Sequence, residues 1–108
     1  LNTTFSNCNN LSKVILPSSL VKIGTYSFNE CPNLFSIALP QSVQVIGERA
    51  FGNCSNLNKI NLPQAVTTIA SYAFYGCTSL REITIPNKVT KINNFPSLYI
   101  FEFRNTTQ

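Results

Sequence analysis

The sequence predicts a mostly β solenoid built from stacked 23-residue turns, and three observations carry that prediction. Cys8, Cys31, Cys54 and Cys77 recur every 23 residues, and the same interval separates Phe5, Phe28, Phe51 and Phe74, Leu11, Leu34, Leu57 and Leu80, and Pro17, Pro40, Pro63 and Pro86. Conservative apolar columns run in the same register, among them Val14, Ile37, Ile60 and Ile83, then Leu16, Leu39, Leu62 and Ile85, then Ile23, Ile46, Ile69 and Ile92. Hydrophobic residues make up 44% of the 108 positions and charged ones 11%, which is enough apolar material for one core. A single repeat cannot bury its own apolar edge, whereas stacked repeats share a continuous core.

Each part of the repeat has a physical reading. The repeat opens on F-x-x-C, and a spacing of three or four points both side chains inward from a single helical or 3-10 turn. The piece L-x-x-[VI]-x-[LI] follows, alternating apolar with exposed positions in the period of a half-buried strand. Proline closes it because it has no N–H to donate to a ladder, so one strand per repeat is expected. The second apolar pair, Val66 with Ile69 for example, suits another short extended segment on the opposite side of the coil. Gly24, Gly47 or Ala70 then marks a turn; no G-x-G-x-x-G or P-loop pattern accompanies these glycines.

The composition permits little catalytic chemistry. With no His and no Asp, neither a Ser-His-Asp, a Cys-His nor a metal-histidine site can be assembled, and Glu30, Glu48, Glu82 and Glu102 share no register. An enzyme is not expected, and neither a cofactor nor a metal. Stacked repeats place neighbouring cysteine sulfurs roughly 4.8 Å apart and the outer two on the order of 14 Å apart, while zinc needs each sulfur at about 2.3 Å. A ladder of buried thiols is favoured; disulfides between neighbours are within reach by distance, although parallel side chains suit the required dihedral of about 90° poorly. The net charge is +4, but the lysines and arginines are scattered, so nucleic-acid binding is not expected. No apolar run reaches the length of a membrane span. Sequons at Asn2, Asn10, Asn53 and Asn105 point only weakly to secretion, and Asn53 lies beside the buried cysteine column, a poor place for an acceptor.

The units "AFGNCSNLNKINLPQAVTTI" and "AFYGCTSLREITIPNKVTKI" closely resemble the BspA-like class of leucine-rich repeats over residues 5 to 92, although they lack the Asn ladder of the general leucine-rich consensus. The resemblance implies a leucine-rich repeat solenoid, a right-handed coil with a parallel sheet on its concave side and short turns or 3-10 segments outside. It also implies a secreted or surface-attached protein of the adhesin kind, with matrix glycoproteins such as fibronectin as the partner class. Composition and spacing do not carry that partner.

The chain reads as one domain over residues 1–108, with a shortened terminal repeat over 93–108. There "PSLYIFEF" lies on "TSLREITI", so that Leu98, Phe101 and Phe103 take the places of Leu80, Ile83 and Ile85. The first repeat begins at its Phe5 turn, and further coils are expected upstream in a longer protein. If the concave sheet binds, its outward positions form two candidate rows: Lys13, Ser36, Lys59, Glu82 and Ile100, and Ile15, Ala38, Asn61, Thr84 and Glu102. Two function classes fit this surface. One is a non-catalytic protein-interaction module of a surface or secreted adhesin; the other is an intracellular scaffold, cytoplasmic or cytoskeletal. The oligomeric state is not legible in the sequence.

Overall fold

The structure, a computed structural model, describes residues 5–92 and 102–105. In chain order the strands are β1 (Lys22–Ile23), β2 (Ser36–Ala38), β3 (Val45–Ile46), β4 (Lys59–Asn61), β5 (Thr68–Ile69), β6 (Glu82–Ile85), β7 (Lys91–Ile92) and β8 (Glu102–Asn105). All pairing is parallel. The odd strands form one continuous sheet in the order β1-β3-β5-β7, and the even strands form two separate pairs, β2 with β4 and β6 with β8.

Ladder register follows the sequence period: Ser36 lies beside Lys59, Ile37 beside Ile60, and Ile46 beside Ile69. Parallel strands can repeat at this spacing because each coil presents the same residue types at the same height. Between the two strand sides lies the core, where Ile37, Ile60 and Ile83 point inward from the even strands and Ile23, Ile46 and Ile69 from the odd ones. Phe5, Phe28, Phe51 and Phe74 stack nearly parallel, with ring centroids 5.3, 5.4 and 5.6 Å apart in successive pairs. Offset stacking of this kind adds about 0.5–1.5 kcal/mol per pair beyond the area buried.

The aromatic corner is itself a coil-to-coil ladder. The N–H groups of Tyr26, Phe28 and Glu30 donate to the carbonyls of Glu48, Ala50 and Gly52, and those of Arg49, Phe51 and Asn53 donate to Ser71, Ala73 and Tyr75. Tyr26, Arg49 and Tyr72 adopt left-handed φ values of 59, 51 and 58°, as do Asn7, Glu30 and Asn53 in a second column. This corner is therefore a chain of hydrogen-bonded turns, because a 3-10 turn requires right-handed φ throughout. Close stacking also explains one glycine. A Cβ on Gly47 would meet the Ile23 carbonyl oxygen at 2.7 Å, the same oxygen that accepts the Gly47 N–H.

Three expectations need correction. No strand forms over Lys13 to Leu16 in the first described coil. No ladder joins β4 to β6. In the terminal pair, Phe103 lies beside Ile83 and Glu102 beside Glu82, two residues out of the expected register. Glu102 thus falls in the first candidate row, and Arg104 takes its place beside Thr84. A slip of two preserves the inward-outward alternation of a strand, so the apolar pattern of "PSLYIFEF" cannot distinguish the two registers. Leu98, Ile100 and Phe101 lie outside the described residues.

Candidate functional site

The candidate surface is built by the even strands. Strands β2, β4 and β6 hold Ile37, Ile60 and Ile83 in the core, so the flanking residues must face out: Ser36, Lys59 and Glu82 on one side of each isoleucine, Ala38, Asn61 and Thr84 on the other. Lys13 is exposed in the first coil and Ile15 is 87% exposed, but both stand on irregular backbone. The structure thus places seven of the ten candidate residues on paired or adjacent strands, Glu102 among them beside Glu82. It leaves Lys13 and Ile15 at the irregular first coil, and Glu102 shifts row.

Among the described residues, three open depressions lie on this face. The first, about 420 Å³, lies across β4 and β6 and is lined by Asn58, Lys59, Ile60, Asn61, Ser79, Arg81, Glu82 and Thr84. A second of about 230 Å³ crosses β2 and β4 and shares Lys59, Ile60 and Asn61 with it. The third, about 420 Å³, is lined by the Lys13 to Leu16 segment with Ser18, Ala38, Leu39 and Pro40, and is the most apolar of the three. Asn58, Ser79 and Arg81 were not among the sequence candidates. Their signal was present: L-x-x-[VI] has two consecutive outward positions, and Phe35, Asn58 and Arg81 form the column beside the expected row.

A second surface feature lies at the aromatic corner. The Arg49 guanidinium sits 4.9 Å from the Tyr72 ring centroid and 5.6 Å from that of Tyr75, and the two tyrosine rings meet edge to face at 5.6 Å. Such exposed cation–π contacts contribute about 0.5–1 kcal/mol. They tie neighbouring coils together at a column where the left-handed backbone disfavours large side chains.

The cysteine column is structural in its contacts. All four cysteines are free, and Cys31, Cys54 and Cys77 are buried. Their thiols donate to the carbonyls of Phe5, Phe28 and Phe51, each one coil earlier, at 2.9, 3.0 and 3.0 Å. Burial pushes the Cys54 thiol up to about 12, with a hydrogen bond from the Cys31 backbone opposing the shift and the charge of the Cys31 thiol adding to it. Burial likewise raises Cys31 and Cys77. These thiols stay protonated and poor as nucleophiles or ligands at neutral pH. Among the described residues no group of three His, Cys, Asp or Glu is placed to hold a metal ion. No helix among them is long and apolar enough to cross a membrane.

Comparison with known proteins agrees with this geometry. The family described as BspA type leucine rich repeat region matches residues 2–105, in 6 copies. A leucine-rich repeat protein from Bacteroides ovatus superposes with a TM-score of 0.81 at 37% identity, over 85% of this chain and 24% of that one. The leucine-rich repeat protein of T. pallidum superposes with a TM-score of 0.64 at 29% identity, over 75% of this chain and 51% of that one. The chain thus spans about a quarter and about half of those two proteins. A comparison with curated proteins returns no match. Repeat period, inward columns, parallel strands on two sides and the family match over nearly the whole chain lead to one conclusion: this chain belongs to the BspA type leucine-rich repeat family.

Proposed function

We propose that the chain is a non-catalytic protein-interaction module of a cell-surface or secreted adhesin, and that the face of the even strands is its docking surface. The observation behind this reading is the display of Ser36 in register with Lys59 and of Ala38 with Asn61, continued by Glu82 and Thr84 on the adjacent strand β6, with the middle isoleucines of these strands committed to the core. What remains for function is a surface of polar and charged side chains on β2, β4 and β6, with exposed Ile15 and Phe35 at its margin. Lys13 and Lys59 stand two coils apart, roughly 10 Å by strand spacing. That is too far for a shared ion pair but suits an acidic partner surface, and the family resemblance suggests a matrix glycoprotein. Because the face is only a few short strands wide, the interface is at the low end of specific complexes and its affinity is modest.

The test is binding of the wild type and of a Lys13→Glu, Lys59→Glu double variant to immobilised fibronectin, at low and high salt. Wild-type binding should weaken as salt rises, because exposed charges are screened beyond a Debye length of about 8 Å at physiological ionic strength. The double variant should bind less at both salts. Equal binding by the two proteins under both conditions would remove the strand face from consideration.

A further inference from the structure

The two strand sides of the solenoid differ in one respect. The coils that carry β4 and β6 are zipped together on the odd side, where β5 pairs with β7, yet on the even side no ladder joins them. The first depression, about 420 Å³, opens at this parting. That volume lies within the range of ligand pockets. Its lining alternates between the two coils: Asn58, Lys59 and Asn61 from one, Ser79, Arg81 and Thr84 from the next.

We propose that this cleft seats an acidic side chain of an extended peptide segment belonging to a partner protein. The inference rests on the reading of the chain as a protein-interaction module and names the chemistry that module selects. Charge argues first: among the described lining residues Lys59 and Arg81 stand with one carboxylate, Glu82, and the whole chain carries +4. Arginine offers a planar fork matched to a carboxylate, and lysine adds a second donor from the neighbouring coil. The remaining polar lining groups are two amides and two hydroxyls: the amides of Asn58 and Asn61 can donate to peptide carbonyls and accept from peptide N–H groups, while the Ser79 hydroxyl, which donates to the Ser55 carbonyl at 2.8 Å, is left to accept. Among the described lining residues there is no aromatic ring, so these residues offer a base or a sugar ring no stacking face. The Cα atoms of β4 and β6 approach within 8 Å, which is too close for an added strand between them. The peptide therefore lies over the parting, its backbone meeting Asn58, Asn61, Ser79 and Thr84, while one carboxylate reaches down to Lys59 and Arg81.

The experiment uses the full chain, isotopically labelled, and a blocked heptapeptide of alternating serine and glutamate. Amide shifts on titration should fall within residues 58–61 and 79–84. The glutamine version of the peptide should bind about fivefold more weakly, as should Lys59→Gln or Arg81→Gln with the glutamate peptide, an exposed ion pair contributing up to about 1 kcal/mol. Equal affinity for the two peptides, shifts confined to other residues, or tighter binding of a sulfated oligosaccharide at the same residues would each overturn the assignment. The peptide swap changes no residue of the protein, so misfolding of a variant cannot account for its result. Capture of fibronectin that is indifferent to Arg81→Gln would sink the cleft and leave the interaction module standing. Peptide binding in the cleft without capture of fibronectin would sink only the matrix partner.

Discussion

The thiol of Cys54 donates to the carbonyl oxygen of Phe28, one coil earlier, at 3.0 Å, and the same contact recurs between Cys77 and Phe51. This contact accounts for the choice of cysteine. The position is fully buried, so it favours a small apolar side chain, and the Phe carbonyl one coil earlier, which at Phe51 already accepts the Cys54 N–H, has a second lone pair open to a donor. A thiol meets both demands.

Stability should therefore fall at high pH. The folded-state ionisation of Cys54 is raised to about 12 from an ordinary thiol value of 9.0. Below pH 9 the thiol is protonated in both states and its contribution is complete; between pH 9 and about 12 only the unfolded chain releases the proton, so stability drops as pH rises. Urea denaturation at pH 7, 9 and 10.5 should show the decline, and Cys54→Ala should start lower but decline less steeply. A parallel decline in the two proteins would contradict the buried-thiol account.

Thiol reactivity gives a second check. In native protein Cys8, only half-buried, should react first with an aromatic disulfide reagent, while Cys31, Cys54 and Cys77 lag behind. In denaturant without reductant all four should titrate. A count below four would mean that disulfides form.

Phe51 is fully buried in the middle of the ring stack, between Phe28 and Phe74. Truncation to Ala should cost about 3–5 kcal/mol, most of the stability of a small domain. Thermal unfolding reads this directly, and an unchanged midpoint would contradict the stack.

Gly47→Ala should destabilise by about 1–3 kcal/mol, because the added methyl meets the Ile23 carbonyl rather than a movable side chain. Chemical denaturation of the two proteins measures it. Unchanged stability would mean that the coils are spaced more widely at this corner.

At Arg49 the left-handed backbone and the tyrosine contacts oppose each other. Replacement by Ala loses the cation–π contact and keeps the strain; replacement by Gly relieves a strain of about 1–2 kcal/mol and adds freedom to the unfolded chain. Arg49→Gly should therefore be at least as stable as Arg49→Ala. The reverse order would show that residue 49 does not hold a positive φ in solution.

Much of this architecture was legible before any coordinates. A column such as Phe28, Phe51 and Phe74 repeats because each member sits in the same environment one coil on, so period and burial follow from residue identity alone. The family and the solenoid followed from the same columns. Backbone spacing is another matter. The parting of β4 from β6, and with it the inclusion of Asn58, Ser79 and Arg81 in the cleft, depends on how far two chemically similar coils separate, which no residue pattern records. The two-residue slip that sets Glu102 beside Glu82 was hidden because an alternating strand looks the same after such a shift. Left-handed backbone at Tyr26, Arg49 and Tyr72 was hidden because no glycine marks those positions, and only the hydrogen bonds between coils impose the geometry.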